Sequence, residues 1–152
     1  MKTRIGFAVA AALALVAAGP AALAAPLTTS ANGKKAMAFL DMAFNQHKVK
    51  EAFDTYAGPT YRQHNPNVPD GKAAAIKILG GYVASGKGPR YEFKRVIASG
   101  DYVVLHSHLA SPAGGPGQAA VDIFRFDHGK VVEHWDVLQP VPEKAANANT
   151  MF

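Results

Sequence analysis

The segment VDIFRFDHGKVVEHWDV, residues 121–137, concentrates groups of this 152-residue chain that could exchange protons. Asp122, His134 and Asp136 lie in it at even spacing, beside the apolar residues Phe124 and Leu138. Burial raises the pKa of a carboxyl group, and a neighbouring imidazole can share its proton. Gathered on one face of a strand pair, these residue types would suit general acid–base catalysis. Scattered on an outer face, they would form only a solvated patch.

The loop of this predicted hairpin decides between the two arrangements. A two-residue loop, His128-Gly129, would place Asp122 on the side of Glu133 and would need a positive φ at His128. A three-residue loop, residues 127–129, needs a positive φ only at Gly129, which glycine adopts at little cost. The pattern therefore favours the three-residue loop, with Asp122 opposite His134. One face then carries Asp122, Phe124, Val132, His134, Asp136 and Leu138, and the other carries Val121, Ile123, Arg125, Glu133, Trp135 and Val137.

Other histidines admit two interpretations each. His64 could act as a base at the mouth of a cavity or lie on the surface beside a turn. His106 and His108 share one face of a strand. They could complete a metal site with Asp122 or Asp136, or form a cross-strand polar pair. No spacing here is a specific metal motif, so the sequence predicts a site without metal or other cofactor.

The spacing of apolar residues predicts the helices and strands that must position these side chains. The spacing is typical of helices in the first half of the chain and of strands in the second half. Asp70 is expected to cap the third helix. The order α-α-β-α-β-β-β-β predicts an α+β fold, with three helices packed on a curved antiparallel sheet that encloses a cavity. The helices are predicted at 34–46, 49–56 and 70–85, and the strands at 60–64, 91–98, 102–110, 119–126 and 130–139.

The first residues have the features of an export signal. Lys2 and Arg4 precede an apolar run from Ile5 to Val16, and Ala22-Leu23-Ala24 matches a cleavage site. The run is shorter than the roughly 20 residues of a membrane span. We therefore predict a periplasmic or secreted protein. The predicted parts are a signal peptide at 1–24, a flexible arm at 25–33, a domain at 34–142 and a tail at 143–152.

The composition and net charge of the chain limit the classes of partner that it is expected to bind. The chain has no cysteine, so neither a disulfide nor a lipid-modified cysteine is available. The formal charge of +5 falls to +3 without Lys2 and Arg4, and no basic block is interleaved with aromatic residues. We therefore expect no nucleic-acid partner, and no membrane contact after signal cleavage. Trp135 and Arg125 would lie on the outer sheet face, which predicts a homodimer through that face.

The element order and the hairpin residues resemble the NTF2-like superfamily, and within it the SnoaL-like polyketide cyclases. The cyclase pattern Arg-x-x-x-Gly-Lys-[Ile/Val]-x-[Asp/Glu]-His-x-Asp is present without a gap from Arg125 to Asp136. An Asn-Pro after the first strand also matches, as Asn65-Pro66. The resemblance implies that Asp136 is the catalytic acid/base and that Asn65 lines the pocket.

The ketosteroid isomerases of the same superfamily offer a second likeness. Asp122 begins the run Asp-x-x-Arg-Phe-Asp, in which those enzymes keep an aspartic acid protonated to donate to a developing oxyanion. The cyclases have a histidine at this position, and the isomerase base and first-helix tyrosine correspond here to Asn65 and Leu40. The resemblances imply catalytic roles for Asp136, Asp122 and His134. The expected substrate contacts are Tyr61, His64, Asn65, His106, Phe124 and Leu138.

The expected function is that of a cofactor-free acid/base cyclase or isomerase, which moves a proton alpha to the carbonyl of an apolar compound. One alternative is a non-catalytic module that binds an apolar small molecule in the same cavity, because this fold supports many functions. A third possibility is an exported interaction module that uses Trp135 and Arg125 on the outer face.

Overall fold

The computed structural model describes residues 27–152, so the predicted signal peptide at 1–24 lies outside the described residues. Within 27–152, no helix is both long enough and apolar enough to cross a membrane. The helices are α1 (Ala31–Leu40), which continues into a π-helical turn (Asp41–Asn45), α2 (Val49–Tyr56) and α3 (Lys72–Ala84). The strands are β1 (Ala57–Gln63), β2 (Arg90–Ser99), β3 (Tyr102–Ala110), β4 (Gln118–Asp127) and β5 (Lys130–Pro140).

The five strands form one sheet in the order β1-β5-β4-β3-β2. The strands from β2 to β5 form the antiparallel meander that the alternating pattern predicts, and β1 pairs with β5 in parallel. The predicted α+β class is therefore confirmed, but the sheet is mixed rather than wholly antiparallel. The reason is that α3 and the meander separate β1 from β5 in the chain, so no tight turn imposes their direction.

Helix α1 begins earlier than its apolar spacing indicates. The Ser30 hydroxyl accepts a hydrogen bond from the backbone N–H of Gly33 at 3.2 Å, which caps the helix. Residues 31–33, predicted as part of a flexible arm, are therefore helical. At the other end, the π-helical turn presents Asn45 to the start of β2, where its side chain bonds to the backbone N–H (2.8 Å) and carbonyl (3.0 Å) of Tyr91.

Asp70 does not cap α3, contrary to the prediction. Gly71, with φ 91°, occupies the N-cap position. Asp70 Oδ1 instead accepts hydrogen bonds from the backbone N–H groups of Gln63 (2.8 Å) and Gly71 (2.9 Å). These bonds hold the pKa of Asp70 below its usual value, with the Gln63 N–H as the largest cause. Asp70 therefore fixes the end of β1 rather than the start of the helix.

The β4–β5 loop has two residues, not the predicted three. Asp127 pairs with Lys130, and both His128 (φ 47°) and Gly129 (φ 73°) have the positive φ of a type I′ turn. A bulge in β5 at Val132 then shifts the register, so that Asp122 lies opposite Asp136 rather than His134. The shift returns Asp122, His134 and Asp136 to one face, as predicted. It also makes Val131, rather than Val132, the residue in the core cluster.

The core lies between the helices and the concave face of the sheet, and aromatic rings dominate its centre. Phe39 of α1 contacts Phe53 of α2 and Phe124 of β4 edge-on, with ring centroids 4.9 and 5.9 Å apart. Phe53 in turn meets Tyr61 of β1 at 5.2 Å. Such edge contacts add to the stabilisation from burial. The cluster positions the polar residues of β1, β4 and β5 beside an apolar wall.

Candidate active site

A small chamber of about 60 Å³ lies between the concave face of the sheet and the helices. Its polar residues come from β1 and the residues directly after it, from the start of β2 and from the β4–β5 hairpin, and its apolar residues come mainly from the helices. A wider vestibule of about 280 Å³ adjoins it and shares Asn65, Asp136 and Tyr91 with it. The chamber is lined by Phe39, Leu40, Ala43, Phe44, Phe53, Tyr61, Gln63, Asn65, Val68, Leu79, Tyr91, Asp122, Phe124, His134 and Asp136.

Asp122 is the most deeply buried acid of the site, with 1% of its surface exposed. Its Oδ1 lies 3.1 Å from His134 Nε2, and its Oδ2 has no hydrogen-bond partner. Burial raises the pKa of Asp122, against the opposing effect of His134, and the charge of Asp136 adds to the rise. Asp122 therefore holds its proton more readily than an exposed aspartate does, and its Oδ2 is left without a partner.

His134 is fixed on both sides of its ring. Nε2 faces Asp122, Nδ1 lies 3.1 Å from Gln63 Oε1, and the ring stacks on Phe124 with centroids 4.7 Å apart. The imidazole therefore has one orientation, and it connects the buried acid to β1.

Asp136 has a different environment, although it lies on the same face. Asn65 Nδ2 donates to both of its carboxylate oxygens, at 2.9 and 2.7 Å. The Asn65 carbonyl oxygen accepts from the backbone N–H of Asn67 at 2.8 Å, which fixes the amide with its NH₂ towards Asp136. Asp136 is half-buried and lines both the chamber and the vestibule. It is thus the carboxylate that an entering ligand meets first.

Two buried tyrosines complete the polar lining. The Tyr61 hydroxyl accepts a hydrogen bond from Gln63 Nε2 at 2.9 Å. Burial raises the pKa of Tyr61 and of Tyr91, and the negative charges of Asp122 and Asp136 add to both shifts. Both hydroxyl groups therefore remain protonated and able to donate.

Gln63 and Tyr91 were missed by the sequence analysis. Gln63 could have been found, because it lies two residues after Tyr61 and two before Asn65, and an extended chain places all three on one face. Tyr91 gave no such signal. Its inward direction depends on the pairing of Tyr91 with Leu109 across β2 and β3, and on the irregularity between Phe93 and Arg95.

Of the other predicted contacts, three line the cavity and two do not. Tyr61 and Phe124 line the chamber, and Leu138 lines the vestibule. His64 instead lies on the outer sheet face, where Nε2 is 2.8 Å from Glu133 Oε1 and the ring stacks on Trp135 at 4.6 Å. His64 points outward because it lies between Gln63 and Asn65, which both point inward.

His106 also lies on the outer sheet face, because its neighbours in β3, Leu105 and Ser107, are the fully buried residues. Its Nδ1 is 3.1 Å from an Arg95 nitrogen. His108, on the same face, contacts Glu92 at 3.3 Å and the Pro116 carbonyl at 3.0 Å. The sheet separates both histidines from the chamber, so neither can join Asp122 or Asp136 at one ion.

The spacing of the cavity residues themselves is compatible with a metal. Asp122, His134 and Asp136 each offer one ligand atom, and these atoms lie within 4.8 Å of one another. In the described part of the chain this is the one group of three or more such residues. Asp122 also forms a hydrogen-bonded pair with His134, and Asp136 a separate pair with Asn65, an arrangement that suits proton transfer.

Comparison with solved structures places this arrangement in a known fold. TsrD from Streptomyces laurentii has 19% identity and a TM-score of 0.58, with 73% of this chain and 90% of that chain covered. A proposed polyketide cyclase from Acidithiobacillus ferrooxidans has 17% identity and a TM-score of 0.61, covering 72% and 89%. A proposed ketosteroid isomerase from Kribbella flavida has 16% identity and a TM-score of 0.62, covering 77% and 84%. At these identities the likeness establishes the NTF2-like fold.

Comparison of sequences gives the family. No curated protein matches the chain. The model of the SnoaL-like domain, however, matches residues 36–134, which include the second half of α1, all elements from α2 to β4 and the start of β5. The match contains Asp122 and ends at His134, two residues before Asp136. The chain thus belongs to the SnoaL-like domain family.

Proposed function

We propose that this protein is a cofactor-free acid/base enzyme of the cyclase or isomerase type, which acts on an apolar carbonyl compound. The observation that carries the proposal is the juxtaposition of two unlike carboxylates in one chamber. Asp122 is buried beside His134 and has a free Oδ2, while Asp136 is half-buried and held by Asn65. Titratable pairs whose environments differ in this way divide the acid and base roles between them.

In the proposed reaction, Asp136 removes a proton from the carbon alpha to the carbonyl. The C–H electron pair passes into the enolate, and the negative charge develops on the carbonyl oxygen. That oxygen is stabilised by the proton that Asp122 and His134 hold. The proton on Asp136 then returns to a different carbon in an isomerisation. In a cyclisation, the enolate carbon attacks a second carbonyl, and the proton on Asp136 passes to the alkoxide oxygen that forms.

The sizes of the two spaces indicate how a substrate would enter. The chamber of about 60 Å³ holds a carbonyl group and its nearest atoms, but not a ring system. The apolar vestibule of about 280 Å³, with Ile78, Leu79 and Leu138 in its wall, suits the remainder of the molecule. The acidic residues Asp122 and Asp136 in the chamber wall disfavour an anionic head group. The geometry therefore supports a neutral, small cyclic ketone more than a large polycyclic acid.

The test measures the exchange of a ketone's alpha protons with solvent, so it does not require the product of the reaction to be known. Protein in D₂O is incubated with 1-indanone, 2-tetralone and cyclohexanone, and loss of the alpha protons is followed by ¹H NMR. Wild type should accelerate the exchange, and Asp136→Asn should reduce it by about 10²-fold or more, as removal of a general base does. Asp127→Asn is the matched control, because Asp127 lies in the same hairpin with its side chain exposed.

Failure of wild type to exchange any of these ketones, or full exchange by Asp136→Asn, would contradict the proposal. The alternative of a binding module has one observation in its favour: both oxygens of Asp136 already have a partner in Asn65. A module of that kind would bind the ketones, as measured by thermal shift, without exchanging their protons. It would also keep its affinity in Asp136→Asn.

The N-terminal pattern supports export as the setting of this function. We propose cleavage after Ala24, with action in the periplasm or outside the cell. Expression of the full chain in a bacterial host, followed by intact-mass analysis, should give a mature protein that begins at Ala25. A protein that retains residues 1–24 and remains in the cytoplasm would contradict the proposal.

A further inference from the structure

Gln63 is the last residue of β1, and it connects four parts of the site. Its backbone N–H donates to Asp70 at 2.8 Å, and its side chain contacts Tyr61, Asn65 and His134. Only 9% of its surface is exposed. A buried amide with this many partners has a defined orientation, and that orientation has a chemical consequence for His134.

The Asn65 backbone identifies which end of the Gln63 amide faces the histidine. A backbone N–H can only donate, so the Gln63 atom 2.9 Å from Asn65 N is the carbonyl oxygen, Oε1. The opposite assignment would place an NH₂ group against that N–H. The same Oε1 lies 3.1 Å from His134 Nδ1. Because an amide oxygen only accepts, Nδ1 must carry a hydrogen.

The other ring nitrogen then has its role fixed as well. With a hydrogen on Nδ1, the neutral imidazole has its lone pair on Nε2, which faces Asp122 Oδ1 at 3.1 Å. A single proton occupies this contact, either on the carboxyl group or on Nε2. In both cases the pair keeps one proton to offer to a developing oxyanion.

We propose that Gln63 is a positioning residue, which holds a hydrogen on His134 Nδ1 so that Nε2 and Asp122 share one proton at the inner end of the chamber. The inference rests on the proposed function for its catalytic meaning, but the tautomer itself is a property of the unliganded protein. Without an acceptor at Gln63, the imidazole could move its hydrogen to Nε2. Nε2–H would then donate to Asp122 Oδ1, so the contact would no longer share the carboxylic proton through the Nε2 lone pair.

The first measurement is long-range ¹H–¹⁵N NMR of the histidine rings in the full-length mature protein. The His134 signals are assigned by their loss in His134→Gln. In wild type, Nδ1 should be protonated across the accessible pH range. A wild-type His134 with an unprotonated Nδ1 at any pH at which the fold is intact would overturn the inference.

Two substitutions separate positioning from structure. Gln63→Glu keeps an oxygen acceptor for Nδ1 and for the Asn65 N–H, so the hydrogen should stay on Nδ1. Gln63→Leu has a similar volume without an acceptor, so Nδ1 should lose its hydrogen as the pH rises. Gln139→Leu, at an exposed position of β5, is the matched control. Retention of the Nδ1 hydrogen in Gln63→Leu at high pH would overturn the inference, and the wild-type measurement decides it if that variant fails to fold.

The exchange assay then links the tautomer to catalysis. Gln63→Leu should lower the ketone exchange rate by about 10²-fold, within the range of acid–base contributions, and Gln63→Glu should restore most of it. Equal rates in wild type and Gln63→Leu would overturn the role of Gln63 while leaving the proposed function intact. An Nδ1-protonated His134 in a wild type that exchanges no ketone would instead overturn the proposed function alone.

Discussion

Asp122 and Asp136 lie directly opposite each other on β4 and β5, yet their side chains have no hydrogen-bond partner in common. Asp122 bonds to His134 in the buried interior, whereas Asp136 bonds to Asn65 at the boundary with the vestibule. An oxygen atom of each carboxyl group lies within 4.8 Å of the other, so ionising both groups costs more free energy than ionising one. Burial raises the pKa of Asp122, which favours the protonated form of that carboxyl group, and the proposed reacting carbon would approach Asp136.

The first prediction concerns the pH dependence of stability. Burial raises the pKa of Asp122, so the folded chain keeps this proton at pH values where the unfolded chain has lost it. The contribution of Asp122 is therefore complete below the ordinary aspartate pKa and is lost as the pH rises through the raised pKa. Relative to wild type, Asp122→Asn should therefore become more stable as the pH rises. The gain is about 1.4 kcal/mol for each unit by which the pKa of Asp122 in the folded chain exceeds that in the unfolded chain.

Urea unfolding from about pH 4 to about pH 8 measures this difference, across the range where buried carboxyl groups titrate. The groups around Asp122 that also titrate or carry charge are His134 and Asp136 of β5, Tyr61 of β1 and Tyr91 of β2. Asp127→Asn is the control and should show no such trend. A stability difference for Asp122→Asn that does not change with pH would count against the buried acid.

The second prediction tests the wall that supports His134. Phe124 is fully buried, stacks on His134 and meets Phe39 edge-on. Phe124→Ala removes a large ring from a packed core and should lower the free energy of unfolding by about 3–5 kcal/mol. Tyr102→Ala, at a position with 48% exposure, should cost much less. Equal losses in the two variants would show that the ring is not part of the core.

The third prediction compares two adjacent residues on opposite faces of the sheet. Asn65→Ala removes the amide that orients Asp136, and should lower ketone exchange by about tenfold, equivalent to one hydrogen bond of about 1.4 kcal/mol. His64→Ala removes only contacts with Glu133 and Trp135 on the outer face, so exchange should be unchanged. The assay is the deuterium exchange described above. A large loss in His64→Ala alone would reverse the assignment of faces.

The fourth prediction is that a second copy of this chain covers the outer sheet face. Val137 and Ile97 are 66% and 63% exposed there, next to the half-exposed ring of Tyr102. Trp135 adds less exposed apolar surface to this face than its size indicates, because the His64 ring stacks on one side of it. Sedimentation at micromolar concentration should give a dimer for wild type and a monomer for Val137→Asp. A wild-type monomer under the same conditions would contradict the prediction.

The sequence by itself determined the elements and the types of residue in the site. Alternation and helical spacing are local properties, so β3 and α2 are found at the predicted residues, and the other strands within three residues of their predicted bounds. The even spacing of Asp122 within β4, and of His134 and Asp136 within β5, also follows from local periodicity. Which residues share a face along one strand was therefore available without any structure.

The tertiary structure decided how those faces meet. The two-residue turn and the bulge at Val132 each shift the register by one residue in the same direction. Because side chains alternate between faces, the total shift of two residues keeps the predicted face, although the predicted loop was wrong. The parallel pairing of β1 with β5 brings Gln63 and Asn65 to His134 and Asp136, 71 residues further along the chain. No local pattern encodes that pairing, because α3 and three strands separate β1 from β5 in the chain, and the pairing depends on the burial gained when the whole sheet forms.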